Sequence, residues 1–336
     1  MGSSKNGQRR RRVGAFLRAV RAAVRLRRKL RGPMRPSWDE DFETWATVLH
    51  HYSRRSTLLP LSVQRFAARG PLRPRPMLGV QYERVVAGGV SAEWFRPEVR
   101  DESRVLLYLH GGGYSIGSID THRDAVSRLC VAARTRGFVI DYRLAPEHPF
   151  PAQVEDAVSS YRWMLASGVD ARRVVVAGES AGGGLVLSLV ASLRDAGLPL
   201  PAATVCVSPW VDLEMRGETM THNARFDYVS REVLRAYARR FVGDHDLKNP
   251  LAAPIHADLS GHPPLLVLAG GAEVLLDDAR AIAARARAAG VDVTLEIEQD
   301  MIHAWHLFPF PRSRRTLERI GTYVIATLDR VALATA

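Results

Sequence analysis

A serine between two glycines, in Gly178-Glu179-Ser180-Ala181-Gly182, is the feature that most constrains this chain. It follows the apolar run 174–177 and precedes a second apolar stretch at 185–190. This order predicts a buried strand, a sharp turn and a helix. The glycines leave room for a strained turn that lifts the Ser180 hydroxyl above the sheet edge, and the helix directs its positive N-terminal end at it. The pattern therefore predicts a nucleophilic serine.

Apolar runs of strand length alternate with helix-length segments from residue 80 onwards. We predict strands at 80–86, 91–95, 105–109, 138–141, 174–177, 204–207, 265–269 and 291–297, and helices at 121–134, 151–166, 181–196, 231–242, 277–289 and 313–333. Leading antiparallel strands followed by strand–helix alternation indicate an α/β fold with a mostly parallel sheet in three layers. The 336 residues suffice for one large domain and a smaller accessory region.

The net charge of +12 belongs to one end of the chain, because residues 1–35 hold thirteen Lys and Arg and no Asp or Glu. We expect disorder over 1–12 and a basic amphipathic helix over 13–30. Such a helix can lie on an anionic membrane surface, or the arm can simply pack on the body. Nucleic-acid binding is disfavoured, since Phe16 is the arm's single aromatic residue. Further helices are expected over 39–68, divided by Pro60, with a linker at 69–76.

Several classes of protein are disfavoured by what the sequence lacks. The arm has no continuous apolar core typical of a secretory signal, and no apolar stretch approaches the roughly twenty residues of a membrane span. We therefore expect a cytoplasmic protein. Cys130 and Cys206 lie in apolar stretches and are expected to be reduced core thiols. No metal-binding motif occurs, and neither a metal nor another cofactor is expected.

A glycine-rich loop, His110-Gly111-Gly112-Gly113-Tyr114, follows the strand predicted at 105–109. Consecutive glycines let backbone N–H groups turn outward, where they can hold the negative oxygen of a tetrahedral intermediate. The residue after the nucleophile supplies another donor in this arrangement. The predicted oxyanion donors are therefore the N–H groups of Gly111, Gly112 and Ala181.

A nucleophilic serine needs a base and an acid that orients the base, here in the chain order serine, acid, histidine. His303 comes just after the last predicted strand and is the predicted base, whereas His306 is expected to pack and His110 to brace the glycine loop. Glu273 follows the strand at 265–269 and is the predicted acid. Asp277 is the runner-up, although its place at a helix start is explained by capping.

These motifs together resemble the hormone-sensitive-lipase-like branch of the α/β-hydrolase superfamily, the bacterial carboxylesterases. The resemblance covers about residues 80–310 and also includes Asp141-Tyr142-Arg143-Leu144-Ala145-Pro146-Glu147-His148 and Ser208-Pro209-Trp210. Two positions depart from the family pattern. Glu273 stands where the family usually has Asp, and Glu179 stands where Asp or Thr is common.

The resemblance implies an eight-stranded core with a helical cap, and a serine esterase acting on short- to medium-chain acyl esters. We expect a basic arm at 1–35, which is outside the resemblance, N-terminal cap helices and linker at 36–76, and a catalytic domain at 77–336 with a cap insertion at about 210–250. The family often forms homodimers. Two alternatives stay open: a deacetylase of a sugar or antibiotic, and a non-catalytic ligand receptor on the same fold.

Overall fold

A computed structural model describes residues 2–56, 58–68 and 77–334, with side chains from residue 14 to residue 333 in those ranges. The predicted linker at 69–76 lies outside the described residues. The helices are α1 (Gly2–Arg31), α2 (Glu40–Ser56), α3 (Leu61–Ala68), α4 (Ile119–Ala133), α5 (Ala152–Ala166), α6 (Ala181–Asp195), α7 (Thr219–His222), α8 (Arg231–Val242), α9 (Leu276–Ala288) and α10 (Pro311–Ala334). The strands are β1 (Val80–Ala87), β2 (Val90–Pro97), β3 (Asp101–Leu109), β4 (Thr135–Asp141), β5 (Val174–Glu179), β6 (Ala203–Val207), β7 (Leu265–Gly270) and β8 (Val293–Glu298).

The eight strands form one sheet in the order β1-β2-β4-β3-β5-β6-β7-β8. The strand β2 pairs antiparallel with both β1 and β4, and every other pairing is parallel. The predicted mostly parallel, eight-stranded α/β fold is confirmed. Because the carboxyl ends of parallel strands share one edge, the loops after β3, β5, β7 and β8 meet there. Those loops carry the sequence-predicted site residues.

The central strands separate two apolar cores, because alternate side chains of a strand point to opposite faces of a sheet. In β3, Leu107 and Leu109 join one core, which α5, α6 and α9 cover. Leu106 and Tyr108 join the other, which α2, α4 and α10 cover. Cys206 belongs to the first core and Cys130 to the second, and both thiols are buried and free, as expected.

The N-terminal arm is helical from Gly2, so the disorder expected over 1–12 is wrong for the backbone of residues 2–12. Arginine is a good helix former, and adding a residue to an existing helix costs far less than starting one. Towards its C-terminal end, α1 packs on α2 with Val24 buried. The carboxylate of Glu43, fully buried, accepts hydrogen bonds from both Arg27 and Arg28. No helix within the described residues is long and apolar enough to cross a membrane.

Candidate active site

Ser180 lies in the turn between β5 and α6, as predicted. Its φ and ψ angles are 55° and −123°, a conformation that costs a non-glycine residue ~1–3 kcal/mol. Backbone at the end of β6 and just after it holds the turn. Ser180 N donates to Val207 O at 3.0 Å, and Trp210 N donates to Ser180 O at 2.9 Å. Gly182 permits the close approach of helix and strand, because a Cβ there would lie 2.0 Å from the carbonyl oxygen of Leu109.

A cavity of about 390 Å³ opens beside Ser180. The glycine loop, Ser180 and His303 line it together with residues of α2, α3 and α8. The helices that border the cavity therefore come from two segments far apart in the sequence. The side chains that α2 and α8 contribute to the cavity wall are mainly apolar or aromatic: Leu49, Tyr52, Val233, Leu234 and Tyr237. The cavity can accept an apolar group next to the serine.

His303 lies on the loop after β8 and lines the same cavity as Ser180. Its backbone N–H donates to Asp227 Oδ1 at 3.1 Å, and the N–H of Ala304 donates to Ser208 Oγ at 3.1 Å. Burial lowers the pKa of His303 to about 3, although the negative charge of Glu179 opposes this shift. The free imidazole is therefore neutral near pH 7 and able to accept a proton.

Glu273 is fully buried on the loop after β7. Its Oε2 accepts hydrogen bonds from Ser208 Oγ at 2.6 Å and Gly270 N at 3.0 Å. Ser208 also binds Ala304, so it ties the glutamate to the loop that carries His303. Within the described residues, Glu273 Oε1 and His303 Nδ1 are both buried without a hydrogen-bond partner. Burial raises the pKa of Glu273 well above its usual value, so its charged form requires a nearby cation such as an imidazolium.

The competing carboxylates have other partners. Asp277 Oδ2 accepts the N–H of Thr219 at 2.9 Å, and its Oδ1 accepts from Arg280 at 3.2 Å. Asp278 accepts the N–H groups of residues 211 and 212, each at 3.0 Å. Both aspartates join α9 to the segment after β6. Neither side chain caps α9, so the capping explanation of Asp277 is corrected.

Two residues of the segment between α7 and α8 hold the loops of Glu273 and His303 together. The carboxylate of Asp227 accepts the N–H of Val274 at 2.8 Å in addition to that of His303. Asn223 Nδ2 donates to the carbonyl oxygen of Glu273 at 2.8 Å. Burial raises the pKa of Asp227 to about 7 in spite of these donors. Sequence reasoning missed both residues, because their partners are about fifty or more positions away and no local pattern marks them.

The glycine loop differs at Gly111 from what the sequence predicts, which is a free N–H group able to hold an oxyanion. The N–H of Gly111 donates to Glu179 Oε1, so it is not free to hold an oxyanion, and its prediction as a donor is corrected. Gly112 and Gly113 line the cavity, and no hydrogen bond within the described residues uses their N–H groups. Ala181 opens α6, where backbone N–H groups lack intrahelical acceptors. The available donors are therefore Gly112, Gly113 and Ala181.

Two further histidines near the site, His110 and His306, make structural contacts. His110 Nδ1 lies 2.8 Å from Gly111 O, and its ring stacks on Tyr142 with centroids 4.2 Å apart. It braces the glycine loop, as expected. His306 is buried beside Tyr108, with Nε2 at 3.4 Å from the tyrosine hydroxyl. Burial lowers the pKa of each of these histidines to about 4.

One cluster within the described residues has metal-ligand geometry, formed by Asp212, Glu214 and His256. Arg216 Nε lies 2.9 Å from Asp212, and Lys248 Nζ lies 3.7 Å from Glu214. These cations already balance the carboxylates. Asp212 also accepts the N–H groups of residues 214 and 216, as expected of a residue that fixes a loop.

Comparison with known proteins identifies the family. A family model of the alpha/beta hydrolase fold matches residues 106–307. An acetyl-hydrolase of Streptomyces hygroscopicus is 46% identical over 243 residues, which is 71% of this chain and 81% of that protein. A carboxylesterase of Mycobacterium tuberculosis is 35% identical over 221 residues, 63% of this chain and 69% of its own length.

Solved structures agree with these matches. The crystal structure of an esterase from the bacterial hormone-sensitive lipase family superposes with a TM-score of 0.80 at 44% identity, covering 84% of this chain and 98% of that one. Both the sheet order and the strained serine turn described above belong to this fold. The chain therefore belongs to the hormone-sensitive-lipase-like branch of the α/β-hydrolase superfamily.

Proposed function

We propose that the protein is a serine carboxylesterase that hydrolyses short- to medium-chain acyl esters. The observation that carries this proposal is the strained Ser180, which lines an apolar cavity together with His303. Glu273 is the proposed acid, because its free buried Oε1 is matched by the free buried Nδ1 of His303. The proposed oxyanion donors are the N–H groups of Gly112, Gly113 and Ala181.

The proposed reaction needs no group beyond these side chains and water. Ser180 Oγ attacks the ester carbonyl while His303 takes its proton, and Glu273 fixes the imidazole tautomer and stabilises the imidazolium. The glycine-loop and Ala181 N–H groups hold the oxyanion. The tetrahedral intermediate collapses to an acyl-enzyme as His303 protonates the leaving alcohol. Water, deprotonated by His303, then releases the acid in the same way.

The acyl-length range is proposed from the cavity. Its volume of about 390 Å³ is at the small end of ligand sites, and the side chains that α2 and α8 contribute to its walls are mainly apolar or aromatic. A short or medium acyl chain fills such a space without leaving apolar surface in water.

Hydrolysis of p-nitrophenyl esters from acetate to palmitate tests this function, with Ser180→Ala as the control. We expect activity to peak at short chains and to vanish in the variant, which should fold normally because its side chain only becomes smaller. Activity that survives in Ser180→Ala would refute the nucleophile. A folded wild type without activity on any chain would favour the receptor alternative.

A second candidate is deacetylation of a small molecule such as a sugar or antibiotic. The 46% identical relative is named an acetyl-hydrolase, which favours this candidate. The same nucleophile, base and oxyanion donors would serve it. A steep preference for p-nitrophenyl acetate over butyrate and longer esters would support deacetylation, whereas a broad profile would support the carboxylesterase.

We also propose that the basic arm contacts an anionic membrane surface in the cytoplasm through residues 13–30. Phe16, Leu26 and Leu30 on α1 are at least half exposed, although several arginines of the helix are paired with α2. Such a helix gains binding energy from apolar contact and from anionic lipid. Sedimentation with phosphatidylcholine vesicles, with and without phosphatidylglycerol, tests the contact. Failure to bind the anionic vesicles at low salt would contradict it.

We further propose that the protein forms a homodimer. Strand β8 pairs only with β7 within the described part of the sheet, so its outer edge is available to a second copy. Ile297 on this strand is 42% exposed. Light scattering during size-exclusion chromatography distinguishes a dimer from a monomer.

A further inference from the structure

The buried carboxylate of Glu179 has no part in the proposed reaction, yet it directly precedes the nucleophile. Only 1% of its surface is exposed. Its Oε1 accepts the N–H of Gly111 and faces His122 Nε2 at 2.7 Å, while its Oε2 accepts the hydroxyl of Tyr108. The carboxylate therefore joins the serine turn, the glycine loop and α4 at one point in the cavity wall.

The hydrogen bonds of His122 indicate a charged ring. Its Nε2 faces the Glu179 carboxylate, which can only accept. Its Nδ1 faces Ser118 O at 3.1 Å and Thr121 Oγ1 at 2.8 Å. The Thr121 hydroxyl gives its own hydrogen to Ser118 O, so it too acts as an acceptor towards the ring. Both ring nitrogens thus meet acceptors, and a ring with hydrogen on both nitrogens satisfies every one of them.

The charges around the pair agree with this assignment. Burial would lower the pKa of His122, but the adjacent carboxylate raises it above the usual value, with help from Asp141. Burial would raise the pKa of Glu179, but the charge and hydrogen bond of His122 lower it to about 2. The other titratable groups that face the pair are Tyr108 from β3, His110 from the glycine loop, Tyr142 after β4, Tyr228 from the cap insertion, and His303 and His306 after β8.

We propose that Glu179 and His122 form a buried ion pair that positions the oxyanion loop, with Gly111 as its point of attachment. The proposal rests on the proposed esterase function. By holding the Gly111 N–H, the carboxylate fixes the orientation of the next two peptide groups, those of Gly112 and Gly113, before substrate arrives. Such preorganised donors are worth most when they do not have to reorient during the reaction.

Steric fit supports this role. A Cβ on Gly111 would lie 2.5 Å from Glu179 Oε1, so only glycine allows the loop to approach the carboxylate.

The positive charge of His122 acts on the electrostatics of the site. An uncompensated carboxylate one residue from the nucleophile would oppose the negative charge that develops on the substrate oxygen. The imidazolium offsets part of that charge.

The kinetic test uses Glu179→Gln, His122→Gln and the double variant, with Asp124→Asn on the exposed face of α4 as control. We expect kcat to fall about 10²-fold in each single variant with KM within roughly threefold, since the loop acts on the transition state. The double variant should lose no more than the worse single variant, because the two residues act as a unit. Glu179→Asp, which keeps the charge, should recover about tenfold of the loss.

Three kinetic outcomes would overturn the proposal: a folded Glu179→Gln enzyme within about twofold of wild-type kcat, losses that multiply in the double variant, or a loss confined to KM. A merely structural role would not produce the expected split between kcat and KM or the rescue by aspartate.

A second measurement on the wild type does not depend on the variants folding. Nitrogen NMR with labelled histidine at pH 8 should show, among the eleven histidines, one ring protonated at both nitrogens. Absence of such a ring would overturn the ion pair. If wild-type esterase activity is absent, the proposed function fails, but this spectrum still decides whether the pair exists.

Discussion

Ser180 holds a backbone conformation that its surroundings maintain. Its N–H and C=O groups are bound to residues beyond the turn, at Val207 and Trp210, so relaxing the strain would break both contacts. The hydroxyl therefore stays in the cavity without an ordering cost at each turnover. His303 is held in a similar way, by Asp227 at its own N–H and by Ser208 at the following residue.

The identity of the acid can be decided by two matched amide substitutions. Glu273→Gln should lower kcat by about 10³-fold or more, because an amide cannot stabilise the imidazolium and favours the wrong tautomer. Asp277→Asn should lower kcat by at most severalfold, since Asp277 binds Thr219 and Arg280. Steady-state kinetics on p-nitrophenyl butyrate measure both. A reversed order would assign the acid to Asp277.

The charge of Glu179 should also be visible in the pH dependence of the enzyme. This carboxylate raises the pKa of His303 against the larger opposing effect of burial. The base works when neutral, so activity is lost as pH falls through its pKa. Removing the charge in Glu179→Gln should therefore lower that pKa and move the acidic limb of kcat/KM to lower pH, by roughly 0.5 pH unit or more. A limb that stays in place or moves to higher pH would contradict this coupling.

At the scale of elements, α1 is attached to the body through the acidic face of α2. Glu43 is the central residue, because its fully buried carboxylate binds Arg27, Arg28 and the N–H of Met34. Glu40 on the same helix makes comparable contacts at the surface. The same type of ion pair thus occurs in two environments on one helix.

Paired substitutions separate the two environments. Glu43→Gln should lower the free energy of unfolding by about 1–3 kcal/mol, because it leaves partly buried donors without a charged acceptor. Glu40→Gln should cost clearly less than Glu43→Gln, since solvent screens its pairs. Urea unfolding measures both, and trypsin digestion should release α1 faster from Glu43→Gln. Equal effects of the two changes would show that burial of Glu43 contributes nothing.

At the scale of the whole molecule, the cavity joins segments that are distant in the chain. The helices α2 and α3 approach from the N-terminal side, and α8 from the insertion after β6, while the catalytic groups come from the sheet edge. Arg65 links these parts, because it binds the carbonyl oxygens of Ser115 and Ala145 as well as the carboxylate of Glu147. The proposed catalytic groups and the helices that face them therefore come from different layers of one molecule.

Changing the cap should alter the acyl-length profile without altering the chemistry. Leu49 is half-buried on α2 and lines the cavity. Leu49→Ala should shift the preferred p-nitrophenyl ester towards longer chains by about one or two methylenes, and Leu49→Trp towards shorter ones, because each methylene is worth about 0.8 kcal/mol where it fits. Leu26→Ala, on the exposed face of α1, is the control. Identical profiles in all three variants would exclude Leu49 from the acyl pocket.

The sequence by itself determined the secondary-structure elements and the strained turn of the proposed nucleophile, because both depend on residues close together in the chain. Apolar runs of strand length, the glycines around Ser180 and the chain order of candidate residues indicated the sheet and the identity of the serine. The predicted bounds of α8 are those observed, and most strands differ by a few residues at their ends. Periodicity and turn chemistry act over a few residues, so a single sequence contains them.

Only the tertiary structure decided which backbone and side-chain groups are already bound, and which residues bind them. The N–H of Gly111, predicted to be free, binds a carboxylate 68 positions away, and Asp227 meets His303 across 76 positions. The basic helix, for which membrane contact and packing on the body were both left open, binds the buried Glu43 through Arg27 and Arg28. Hydrogen bonds and ion pairs are short-ranged, so their partners are fixed only when parallel strands and their crossovers bring distant loops to one sheet edge.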